Sequence, residues 1–345
     1  MTVGLFHAQA PGGICLRALV VCGLLCAGVT AAGSEPPVPA ARARLAARSL
    51  LTTVISTPAG MLVAAGERGH VLLSHDAGEH WAQADVPVDV LLTGACFVDD
   101  RTGYLVGHDQ TILSTQDGGT TWRIEHFAPE SGQPFLHVVC SADGAVVAVG
   151  AYATLALRHS GEPAFRLQEL KAVAPATARH PARMDDDVEL EQPHLNVVAR
   201  SRAGTLYVAG EAGHLYRSED QGEHWVALPS PYGGSFFTAL ATGDTSLLVA
   251  GLRGHVYRSV DKGQHWTQVV STTDVLLDGA AVLADGRVVL VGMAGVVLVS
   301  DDEGVTFRRL RMADRKGLSA VAVGPRGPVV VGENGVRRLT LGTGK

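Results

Sequence analysis

Charged residues make up only 18% of this 345-residue chain, too few for the charge-laced surface of a coiled coil. Lysine is nearly absent, four against 24 arginines, and the net charge of -6 excludes the basic body expected of a nucleic-acid binder. No P-loop, dinucleotide fingerprint or Cys-x-x-Cys pair occurs, so no cofactor and no metal are expected. Long apolar runs are missing too. The stretch Ala18–Val29 counts 12 residues, short of the roughly 20 that span a bilayer. With Arg17 ahead of it and Thr30-Ala31-Ala32 behind, it reads as an export signal over residues 1–33, the alternative being an uncleaved anchor. Lipidation is disfavoured because Ile14, Val21 and Leu25 are poor residues before Cys15, Cys22 and Cys26. After cleavage Cys96 and Cys140 remain, either as one disulfide or, the expected case, as two buried thiols in strands.

Glycine, by contrast, is plentiful: 41 residues, about 12% against a typical ~7%, which favours turn-rich β structure. The glycines mark a period. A strand ending in Gly, then a short turn, then another strand recurs at Gly66, Gly107, Gly150, Gly210, Gly251, Gly292 and Gly332, spaced by 41, 43, 60, 41, 41 and 40 residues. The wide gap holds an insertion at 171–193. After each of the first six frame glycines comes a box of the form Ser/Thr-x-Asp-x-Gly-x-x-Trp. Five copies are intact: Asp76, Gly78 and Trp81; Asp117, Gly119 and Trp122; Asp220, Gly222 and Trp225; Asp261, Gly263 and Trp266; Asp302, Gly304 and Phe307. The third, Arg158–Phe165, has lost its Asp and Gly. In such an Asp box the carboxylate accepts backbone N–H groups of the turn. The Gly takes the positive φ of a tight bend, and the aromatic residue starts the next strand as a wedge between sheets.

Four strands of four to seven residues per repeat cannot cover both faces of their own sheet. Stacked radially and closed, they form a seven-bladed β-propeller, an all-β fold of four-stranded antiparallel blades. The blades are expected at about 50–86, 90–128, 135–170, 194–229, 236–270, 276–311 and 317–341, in a single domain over 34–341. The last repeat stops without a fourth strand, which residues 40–48 are expected to supply, closing the ring and removing two open edges.

The Asp boxes, the seven glycine frames and the signal together resemble the photosystem II assembly and stability factors of the Ycf48/Hcf136 type, over about residues 42–341. The resemblance implies an exported, monomeric propeller in the periplasm or, in a photosynthetic host, the thylakoid lumen. It further implies binding of a membrane protein or a membrane-complex subunit, with no chemistry of its own and no nucleic-acid partner. Two other classes compete: a secreted Asp-box glycoside hydrolase of the sialidase type, and an accessory protein of an envelope transporter in a non-photosynthetic bacterium. For the hydrolase, Arg68, Arg253, Glu67, Glu211 and Tyr152 form a partial constellation, but the Phe-Arg-Ile-Pro type sequence is absent. Repeat-equivalent histidines (His70, His214, His255; His80, His224, His265) point around a circle and do not converge as metal ligands must.

Turns between the second and third strands of a propeller blade open on the face of the blade-to-blade connections. Candidate partner-binding residues are therefore Glu67, Arg68, His108, Asp109, Tyr152, Glu211, Arg253, Met293, Glu333 and Asn334. The acidic insertion, with Asp185, Asp186 and Asp187, joins them as an exposed loop for a basic partner segment. Residues 308–345 carry a net charge of +7, a surface suited to anionic lipid headgroups or an acidic partner face.

Overall fold

A computed structural model of the chain describes residues 36–173 and 192–341. Within it seven antiparallel sheets follow one another along the chain. Their inner strands are Leu51–Ser56, Leu92–Phe97, Phe135–Cys140, Val197–Arg200, Phe236–Ala241, Leu277–Val282 and Leu318–Gly324, one per blade. The second strands are almost wholly buried, as in Leu62–Gly66, Gly103–Gly107 and Val288–Gly292. Continuous Val, Leu and Ala runs suit them because both faces of each sheet meet a neighbouring blade. The outer strands are short and polar, such as Arg166–Glu169, exposed throughout. The inner strands surround a channel of about 590 Å³.

The blades are joined by apolar layers between them. Trp122, starting the outer strand of blade 2, packs with Val63 and Leu73 of blade 1 and Leu105 and Leu113 of blade 2. Trp225 does the same between blades 3 and 4, and Phe307 between blades 5 and 6.

Three expectations need correction. Blade 7 has three strands, Leu318–Gly324, Gly327–Gly332 and Arg337–Arg338, and residues 40–48 do not add a fourth. That segment runs instead along the outer edge of blade 1. There Ala40 N–H donates to the Val86 carbonyl, and Arg42 reaches the Gln83 carbonyl and the Asp85 carboxylate. It then forms a single 3-10 turn, Ala46–Arg48, whose Ala47 carbonyl accepts the Val336 N–H at 3.0 Å. The ring is closed by packing, with Leu51, Leu62 and Leu72 of blade 1 in one cluster with Ala322, Val329 and Val331 of blade 7. Secondly, Cys96 and Cys140 form a disulfide that ties the inner strands of blades 2 and 3. Free thiols were expected because sequence spacing gives no relative register for strands in different blades. Thirdly, Ala172–Val173 pairs in parallel with Trp225–Val226 as a fifth strand of blade 4, which covers an edge that would otherwise be open. The export signal (1–33) and most of the insertion, including Asp185, Asp186 and Asp187, lie outside the described residues.

The intact Asp boxes are built alike. In blade 5 the Ser259 hydroxyl donates to Asp261 Oδ1 at 2.8 Å and accepts the Gly263 N–H at 2.9 Å, while Asp261 Oδ1 also accepts the His265 N–H at 2.9 Å. The second carboxylate oxygen meets the side chain four residues after the Asp. That partner is a histidine ring in His80, His224 and His265, or a hydroxyl in Thr121 and Thr306. Gly263 takes φ +82°, as the turn requires, and so does the preceding residue, Lys262, at +58°. These bonds hold the carboxylates in their ionised form. Against desolvation, which pushes it up, the His265 N–H and ring bring Asp261 to about 2; the Thr306 hydroxyl and N–H bring Asp302 to about 2. A depressed native value means stability that is intact above the unfolded carboxyl range, near 4, and is lost as the pH falls toward 2. The melting temperature is thus expected to be flat from pH 6 to about 4.5 and to drop steeply between pH 4 and 2. A midpoint unchanged down to pH 2 would contradict this role of the boxes.

In the third blade, where the Asp is missing, His159 bridges to the next blade instead: its Nδ1 lies 3.1 Å from Gln221 Oε1, and its Nε2 meets Glu223 at 2.5 Å. The Glu223 side chain holds this imidazole above its ordinary value.

Candidate partner-binding face

The frame glycines set this face. In all seven the backbone is extended, and a Cβ would lie 2.1–2.3 Å from the carbonyl oxygen just ahead of the inner strand, for example Leu50 O at Gly66 and Leu276 O at Gly292. This close approach brings the start of the inner strand against the end of the second strand, so the following turn lies beside the blade-to-blade connection. In blades 1, 4, 5 and 6 the turn is a three-residue 3-10 turn: Glu67–Gly69, Glu211–Gly213, Leu252–Gly254 and Met293–Gly295. Gly69 N–H donates to the Val90 carbonyl of the connection at 2.8 Å.

The candidate residues divide by what they touch. Glu67, Glu211 and Glu333 each accept a backbone N–H from the residue leading into an inner strand: Leu50 at 3.2 Å, His194 at 3.3 Å and Gly317 at 3.1 Å. These carboxylates brace the turn to the inner strand, a function that the Gly-Glu pairs in blades 1, 4 and 7 signal in the sequence. Asn334 donates to Asp314 at 3.0 Å, beside Arg337 on the same carboxylate. Asp109 lies in the left-handed region at φ 57°, next to His108, whose carbonyl accepts the Thr111 hydroxyl. Arg68 and Arg253 occupy the same turn position, both at φ 55°, and form no ion pair among the described residues. Tyr152 is 47% exposed, its ring edge-on to His194, and Met293 is 44% exposed. Leu252, beside Arg253, is exposed as well.

The face therefore offers two cations on rigid turns, a tyrosine and two apolar side chains, over carboxylates already engaged with the backbone. Glu67 and Arg68 belong to blade 1, Tyr152 to blade 3, Glu211 to blade 4 and Arg253 to blade 5. Such a layout suits contact with an extended surface. The basic C-terminal region divides in the same way: Arg308 lies by Asp301, Arg337 by Asp314 and Arg326 by Glu79.

Residues 54–161 match the family model of the photosynthesis system II assembly factor YCF48. The photosystem II assembly lipoprotein Ycf48 of Prochlorococcus marinus (strain NATL2A) is 31% identical over 78 residues, which are 22% of this chain and 23% of that protein. The match thus spans about a quarter of the length of this curated relative. Among solved structures, YCF48 bound to D1 peptide superposes with a TM-score of 0.63 at 17% identity, covering 85% of this chain and 92% of that one. YCF48 from Cyanidioschyzon merolae gives 0.62 at 16%, covering 84% and 94%. The WD40 propeller domain of Doa1 gives 0.64 at 13%, covering 88% and 95%. Similar scores for such different propellers mean that the superpositions speak for the fold alone, while the sequence similarity is confined to part of the chain. Over residues 54–161 the chain is similar to the YCF48 assembly factors, and its fold is that of a seven-bladed propeller.

Proposed function

We propose that this chain is an exported, non-enzymatic platform that binds a segment of a membrane protein on its turn face during assembly of a membrane protein complex. The observation that carries the reading is the family match over residues 54–161; the D1 peptide held by the solved YCF48 relative indicates the kind of partner. The turn face supports it physically. Arginine and tyrosine are the residues that most often dominate interfaces, and here Arg68, Arg253 and Tyr152 are displayed on turns fixed by the frame glycines. The hydrolase reading has less to stand on, because the Glu67 and Glu211 carboxylates of its constellation accept backbone N–H groups.

The test is capture of cross-linked partners from detergent-solubilised membranes of the source organism, comparing the native chain with the triple variant Arg68→Ala, Arg253→Ala, Tyr152→Ala. At about 1–2 kcal/mol per interface side chain, the triple variant is expected to recover at least tenfold less of an integral membrane protein. Equal recovery by both, or no membrane protein at all, would contradict the proposal. So would turnover of a fluorogenic sialoside that disappears in the Arg68→Ala variant.

A further inference from the structure

The central channel has a polar order that the turn face does not use. In each blade the residue after the buried Leu or Phe that enters the channel, as Thr52 follows Leu51 and Asn196 follows Leu195, lies just inside it on the turn-face side, because the inner strands begin at the blade-to-blade connections. At this position the Thr52 hydroxyl donates to the Leu92 carbonyl of the next blade, Thr93 to Phe135 at 2.8 Å and the Asn196 amide to Phe236 at 2.8 Å. In blade 6 the same position is Asp278, which follows Leu277 as Thr52 follows Leu51. An ionised carboxylate has no proton to donate to the neighbouring blade. Asp278 makes no side-chain hydrogen bond or ion pair among the described residues, and it is the one carboxylate in the described channel lining. The lining's one permanent cation, Arg200, ends the inner strand of blade 4 and so lies toward the opposite mouth. Two further polar atoms of the lining residues, Thr238 Oγ1 and His137 Nδ1, lack a partner but are buried out of reach of the channel. Burial drives His137 down to about 4, so its imidazole is neutral.

The lining therefore presents a carboxylate without a partner, while the Thr52, Thr93 and Asn196 donors at the same level are already engaged. We propose that the turn-face mouth of the channel is a binding site for an organic cation, a guanidinium or primary ammonium group on a slender chain, paired with the Asp278 carboxylate. The volume is in the range of small-ligand sites, and a charged, donor-rich group is what an isolated carboxylate in a poorly solvated channel lacks. A calcium ion would need six or more oxygen ligands, usually with several carboxylates, which this lining does not contain. Desolvation alone raises Asp278 to about 7, the behaviour of an acid whose counter-charge is missing. The inference stands on the channel lining and does not depend on the platform role proposed above.

Isothermal titration of the exported chain with N-acetylarginine amide, and with the neutral isostere N-acetylcitrulline amide, tests it. At pH 8 the arginine compound is expected to bind at least tenfold more tightly than the citrulline compound, and Asp278→Asn to remove at least tenfold of that affinity. Between pH 8 and pH 5.5 the native affinity should fall about 30-fold as the carboxyl takes up its proton. His137 and Arg200, the other ionisable groups of the lining, keep their charge states over that range. Should the Asp278→Asn chain fail to fold, the citrulline comparison and the pH series on the native chain remain decisive. Equal binding of both compounds, affinity independent of pH, or no binding of the arginine compound would overturn the site. The pentapeptide Gly-Gly-Arg-Gly-Gly separates the sources: tighter binding than the free compound identifies an arginine side chain of a partner segment, and equal binding identifies a small free cation.

Discussion

Replacing Gly292 by alanine is expected to destabilise the chain by about 3 kcal/mol, near the upper end of what overpacking costs. Gly292 has φ -171°, a conformation open to any residue, so the effect is one of space alone. A Cβ there would lie 2.1 Å from the Leu276 oxygen and 3.0 Å from Leu277 Cα. To make room, the inner strand of blade 6 would have to withdraw from the second. That movement stretches the Met293 N–H to Leu276 carbonyl bond of 2.9 Å and unseats the fully buried Leu277. Gly233 provides the control: it is exposed and a Cβ there meets nothing within 4 Å, so Gly233→Ala should stay within about 0.5 kcal/mol of the parent. Urea unfolding of the two variants measures the difference. If Gly292→Ala unfolds at the parent's midpoint, the frame glycines are not held by this close approach.

Opening the Cys96–Cys140 bond is expected to cost about 2–4 kcal/mol. The two residues are 44 apart in sequence, and the chain-entropy argument for a loop of that size gives about 4 kcal/mol as its ceiling. The bond also connects inner strands of adjacent blades, so its loss should loosen the layer between blades 2 and 3, where Tyr104, Phe135 and Val138 pack together. The Cys96→Ala, Cys140→Ala double variant and the parent chain treated with dithiothreitol should unfold at the same, lower urea concentration. Coincident unfolding of reduced and oxidised parent chain would show that the bond contributes nothing. A bond of this kind persists in oxidising compartments, which agrees with the proposed export.

Much of this architecture is legible in the sequence because each blade needs the same things at the same places. The frame Gly recurs because every inner strand approaches its neighbour equally closely. The Asp box recurs in blades 1, 2, 4, 5 and 6 because each of those outer turns uses a carboxylate to gather its N–H groups. What could not be read depends on relations between blades, or on which of two equivalent partners a side chain meets. The pairing of Cys96 with Cys140 requires knowing that the fifth residue of one inner strand faces the sixth of the next. The missing fourth strand of blade 7 is of the same kind: residues 40–48 are drawn to the Gln83 and Val86 backbone of blade 1, and Ala47 meets blade 7 only through Val336. Within the candidate face, position was legible and role was not. Glu67, Glu211 and Glu333 stand where expected, yet each accepts an N–H from its own chain, while the exposed Arg68, Arg253 and Tyr152 keep their side chains directed to solvent. Asp278 has no sequence signature at all, since its character comes from the channel around it.

The central claim is that a membrane-protein segment docks on the turn face, and hydrogen-exchange mass spectrometry of the chain with and without its cross-linked partner tests it most directly. The account predicts slowed exchange in the turns at 67–69, 108–110, 151–153, 252–254 and 293–295, with the Asp-box turns at 76–80, 220–224 and 261–265 unchanged. Protection confined to the Asp-box turns, or none on either face, would contradict it.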